Sequence, residues 1–77
     1  QTTERTKSMS DYLIEYMKIH LISIEQDLEN IAQEMEELDP ESKACRDLDF
    51  EYNWLSGQII ATRHFIKVGE EHAAKAN

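Results

Sequence analysis

Three histidines, one cysteine and a short run of alternating carboxylates are the residues of this chain whose types could do chemistry. His20, His64 and His72 would have to converge to hold a metal ion, and metal sites built on helices use spacings such as Glu-x-x-His or His-Glu-x-x-His, which put two ligands on one face. Neither spacing occurs. Asp47-Leu48-Asp49-Phe50-Glu51 opens like a calcium loop, with a carboxylate at every second position. Such a loop then requires glycine for its sharp turn and a bidentate acid at its end, and Tyr52 and Gln58 stand at those places. A nucleophilic cysteine needs electropositive surroundings that favour its thiolate, whereas Cys45 is followed by Asp47, Asp49 and Glu51. It reads as a small buried thiol. The expectation is a protein without metal, cofactor or small-molecule ligand, and not an enzyme.

The elements that carry these residues are legible from hydrophobic spacing. Ile14, Met17, Leu21, Ile24, Leu28, Ile31, Met35 and Leu38 step alternately by three and four, a heptad seam. Leu38-Asp39-Pro40-Glu41-Ser42 interrupts it, because proline lacks the backbone N–H and disfavours a helical residue before it. Asp39 is expected to cap the second helix with Pro40 as its first residue. Beyond the break Cys45, Leu48, Tyr52, Leu55, Ile59, Thr62, Ile66, Gly69 and Ala73 resume the same stepping. Two seams joined by one tight turn predict an all-α fold, an antiparallel two-helix hairpin of coiled-coil type, roughly 40 Å long. Its bounds are residues 10–75 with the turn at 38–42, after a polar, disordered arm at 1–9; Ser8 or Ser10, at their junction, can cap the first helix. Folding the chain at the turn sets Ile14 against Ile66, Leu21 against Ile59, Ile24 against Leu55, Leu28 against Tyr52 and Met35 against Cys45. Ser56-Gly57 is the one place where the second arm could split.

A hairpin uses only its two facing seams, yet this chain carries a second set of apolar residues. They are Tyr12, Tyr16, Ile19 and Ile22 on the first arm, and Phe50, Trp54, Ile60, Ala61, Phe65 and Val68 on the second. An apolar surface of this size is normally a contact surface. Short chains also bury too little area to be robust alone, and a single cysteine allows no internal disulfide. Dimerisation into a four-helix bundle would answer both points. Trp54 is the natural anchor of such a contact, and Gly57 with Ala61 forms a small-xxx-small pair that lets a second backbone approach.

Charge divides the molecule differently. Sixteen acidic against eight basic residues leave a net charge of −8. Residues 25–51 hold eleven acids against Lys43 and Arg46, a net of −9, and the remainder sums to +1. In a hairpin Glu34, Glu36, Glu37, Asp39, Glu41, Asp47, Asp49 and Glu51 gather around the turn. Affinity for nucleic acid comes mostly from basic residues, so direct binding through Arg63, Lys67 and Lys75 is not expected. Spaced carboxylates could instead meet a basic protein, up to mimicry of a DNA backbone. The longest apolar stretch, Met17 to Ile24, is interrupted by Lys18 and His20 and falls far short of the roughly 20 residues that span a bilayer. With no signal-peptide pattern in these residues, a cytoplasmic location is expected.

These features lead to a non-enzymatic protein-interaction module, a homodimer that binds another protein as an inhibitor, adaptor or regulator. In size, single turn and heptads across most of the chain, its plan resembles the small helical-hairpin co-chaperones of type III secretion. That resemblance implies the rival role, shielding an aggregation-prone helix of a secretion or assembly subunit. Its compact acidic helices are also similar in type to small phage and mobile-element proteins that inhibit or redirect host machinery. Trp54-Leu55-Ser56-Gly57 lacks the Trp-x-Gly spacing of the secreted WXG hairpins.

Overall fold

Helix α1, Met9–Glu36, is launched by Ser8, whose hydroxyl accepts from the Asp11 N–H at 3.2 Å while the Asp11 carboxylate accepts from the Ser8 N–H at 3.1 Å. This reciprocal capping box satisfies two N–H groups that the first turn would otherwise leave unpaired. Ser8, and not Ser10, is therefore the cap, and α1 starts one residue inside the arm expected at 1–9. The computed structural model describes residues 8–76, so the rest of that arm lies outside the described residues.

Helix α2, Lys43–Ala76, runs without interruption through Ser56 and Gly57. Its 34 residues against 28 in α1 give rods of about 51 and 42 Å at 1.5 Å per residue. The start of α2 corrects the expected cap. The Asp39 carboxylate accepts from the Glu41 N–H at 3.0 Å and the Asp39 carbonyl from the Ser42 N–H at 2.9 Å, which closes a turn with Pro40 inside it. Ser42 then caps α2, its hydroxyl accepting from the Cys45 N–H at 3.1 Å. Pro40 thus shapes the turn, and Lys43 is the first helical residue.

The two helices pack against each other along the two seams. Ile14, Ile24, Ile31, Cys45, Leu55, Ile59 and Ile66 are buried, and all seven belong to the predicted stepping. Leu21, Leu28, Met35, Leu48 and Tyr52 pack at their margins. Among the described residues no large side chain falls below 2% exposure, because a two-helix core has only one layer and both its edges touch water. At the open end Ile14 lies over Gly69, where an added Cβ would stand 3.1 Å from Ile14 Cγ1. Gly69 is the next residue of the α2 seam after Ile66, the residue expected opposite Ile14, and Ile66 is buried as well.

A candidate protein-contact surface

The two edges of the hairpin differ, and the residues next to the seams explain how. Positions that follow Met17 and Ile24 on α1, and Thr62 and Gly69 on α2, lie along one edge. They carry Lys18, Glu25, Arg63 and Glu70. Lys18 Nζ pairs with Glu70 at 2.6 Å, and Arg63 donates to the Glu25 carboxylate across the helices. This edge is closed by charge.

The other edge is formed by positions that precede the seam residues. Leu13 precedes Ile14, Phe65 precedes Ile66, and His72 precedes Ala73. With Ile14, Met17, Val68 and Gly69 they line a groove between the helices at the open end. By heptad position Tyr16 lies on the same side of α1, and it stacks on His20 with ring centres 6.1 Å apart and planes 4° from parallel. On α2 Ala61 and Trp54 lie on the same side as Val68, one and two heptads before it. Trp54 is 57% exposed, Phe65 58%, Tyr16 64% and Val68 46%, so the flank is apolar and uncovered.

Of the apolar residues expected on this surface, Tyr16, Trp54, Ala61, Phe65 and Val68 share it. Tyr12, Ile19 and Gly57 lie further round, on the backs of their helices, and Ile22 falls toward the charged edge with Ile60. Gly57 has nothing within 4 Å of an added Cβ, so within the hairpin it permits no close approach. Leu13 and Met9 belong to the flank and were absent from the expected set. Their signal is in the sequence: Met9, Leu13, Tyr16, His20 and Ser23 step by four and three beside the first seam. On α2 the parallel row is Asp47, Glu51, Trp54, Gln58, Ala61, Phe65, Val68, His72 and Lys75. Each helix has a second seam, apolar toward the open end and polar toward the turn.

The acidic residues gather at the turn and are exposed. Asp39 is engaged in the turn, and Asp47 accepts from Lys43 Nζ at 2.8 Å. That hydrogen bond, together with the charge of Asp47, raises the Lys43 pKa above its ordinary value. Among the described residues Glu34, Glu36, Glu37, Glu41, Asp49 and Glu51 have no side-chain hydrogen bond or ion pair. The placement is also unfavourable for the helices themselves. α1 has no basic residue in its last turn, where Glu34 and Glu36 sit near the negative end of its dipole. α2 has no acidic residue in its first turn, which opens with Lys43 at the positive end. Each such mismatch costs about 0.3–1 kcal/mol.

No three His, Cys, Asp or Glu side chains among the described residues come together as a metal site. Cys45 is buried at the turn-end groove beside Met35 and Tyr52. No described helix is long and apolar enough to cross a membrane. Set against protein-family models, curated proteins and solved structures, the chain matches none. The likeness of plan to secretion co-chaperones and to phage proteins therefore rests on architecture alone.

Proposed function

We propose that this chain is a non-enzymatic protein-interaction module, a small acidic helical hairpin that binds a partner protein as an inhibitor, adaptor or regulator. The observation that carries the reading is the uncovered apolar flank of Leu13, Tyr16, Trp54, Phe65 and Val68. Water-exposed aromatic and aliphatic side chains in one continuous row add nothing to the stability of the hairpin, and surfaces of this kind are contact surfaces. The acidic turn supports the same reading. Glu34, Glu36 and Glu37 stand where the dipole of α1 opposes them, so the stability of the hairpin does not account for these three and a basic partner would. Such binding requires no cofactor and no small-molecule site.

Affinity capture with the tagged protein tests this, comparing wild type with Trp54→Ala and with Glu34, Glu36 and Glu37 all replaced by Lys. Each position is exposed, so both variants should keep their helical circular dichroism. A partner lost from one variant and retained by the other identifies the working surface. Partners retained equally by both variants would refute the proposal.

A further inference from the structure

We infer that the apolar flank is covered by a second copy of this chain, packed antiparallel, with α2 against α2 and the two-fold axis passing beside Ala61. This rests on the reading of the flank as a protein-contact surface and names its occupant. Three observations single out a second copy in this orientation.

The first is area. The flank side chains of Leu13, Tyr16, Trp54, Phe65 and Val68 are 46–64% exposed. Of these Trp54, Phe65 and Val68 stand on α2, and with aromatic side chains of 150–250 Å² they bring about 350 Å² per copy to an α2–α2 contact, the apolar centre of an interface of roughly 800 Å² per partner. The hairpin also needs such a layer, since its own core has no fully buried side chain.

The second is the symmetry of the outer row on α2. Asp47, Trp54, Ala61, Val68 and Lys75 are spaced by one heptad each, with the smallest side chain at the middle. A two-fold axis at Ala61 pairs residues equidistant from it. Ala61 meets its own copy and lets the helices come close, Trp54 meets Val68 of the second copy, and Asp47 meets Lys75 of the second copy. An arbitrary apolar stripe has no reason to be apolar against apolar and acid against base about one of its own residues. An isologous interface requires this self-complementarity.

The third is charge at long range. Stacking the hairpins in parallel would bring two turn regions of net charge −9 within the 8–10 Å of packed helices, comparable with the Debye length at physiological salt. The antiparallel arrangement sends the two turns to opposite ends. Each then lies beside the nearly neutral open end of the other copy. The dimer displays one acidic docking end at each extremity and is bivalent toward a basic partner.

The test is light scattering over a concentration series, joined to distance measurement between nitroxides on Ala44→Cys in a Cys45→Ala background. The expected mass is twice that of the chain. Ala44 lies 17 residues from Ala61, so the expected label separation is about 50 Å; parallel stacking gives under about 20 Å. Ala61→Glu sets two carboxylates against each other on the axis at a position exposed in the hairpin, and should weaken dimerisation at least tenfold with helicity unchanged. A monomeric wild type, a short separation, or an Ala61→Glu protein that dimerises like wild type each overturns the inference. A monomer that still loses its captured partner on Trp54→Ala would leave the flank as a contact surface and remove only the second copy as its occupant.

Discussion

Reversing the charge of Glu36 and Glu37 should make the hairpin more stable while weakening the docking proposed for its turn. Glu36 closes α1 and Glu37 is its C-cap residue, with no basic side chain in the last turn to offset them. Lysine at each place turns an unfavourable interaction with the helix dipole into a favourable one, worth about 0.3–1 kcal/mol per site at low ionic strength. Each reversal also removes a negative charge from the cluster of net −9. A double reversal is therefore expected to stabilise by about 1–2 kcal/mol, and a domain of this size shifts its Tm by about 4–8 °C per kcal/mol. Thermal unfolding followed by circular dichroism should show a rise of about 4–15 °C in low salt, shrinking as salt screens both effects. Oligomerisation raises apparent stability by mass action, so both proteins must be compared at one concentration. A lower Tm for the double variant in low salt would refute the account, because it would mean that these carboxylates make favourable contacts within the hairpin.

Other substitutions probe the packing. Gly57→Ala should raise stability by about 0.8–1 kcal/mol, since the helix gains propensity and the new Cβ meets nothing; Gly69→Ala should gain less, because its Cβ must displace Ile14, and equal gains in chemical denaturation would contradict that contact. Ser42→Ala removes the true cap of α2 and should cost about 1 kcal/mol, whereas Pro40→Ala should leave the helix start in place by NMR chemical shifts. Leu55→Ala at the centre of the buried cluster should cost about 2–5 kcal/mol, enough to abolish cooperative unfolding of a hairpin with a single core layer; an unchanged transition would show that the seam is misplaced.

Hydrophobic spacing alone placed the core. Ile24, Ile31, Leu55 and Ile59 pack together because heptad stepping leaves each helix only one seam to bury against the other. Three features depend on packing that spacing does not carry. Asp-Pro is a good helix start and points to Asp39 as the cap of α2, but Ser42 follows three residues later and is an equally good cap. The Asp39 carboxylate is instead taken up by the Glu41 N–H. Cross-helix pairs such as Lys18 with Glu70 follow only from the helices set side by side. Leu13 lies beside the seam and not opposite it, so its place on the uncovered surface is clear only from the packed hairpin.

The turn between Glu37 and Ser42 also sets the order in which the hairpin assembles. Met35 and Cys45 are ten residues apart in sequence, and Ile14 and Gly69 are fifty-five apart. Closing the shorter loop costs less entropy, and hydrogen bonds about Asp39 and Ser42 hold it closed. Folding is therefore expected to run as a zipper from the turn outward. Substitutions near the turn change the folding rate, and those at the open end change the unfolding rate. The carboxylates gathered at the turn crowd that nucleus, so added salt should speed folding more than it slows unfolding. The end of the molecule proposed for docking is then also the end expected to limit how fast the molecule forms.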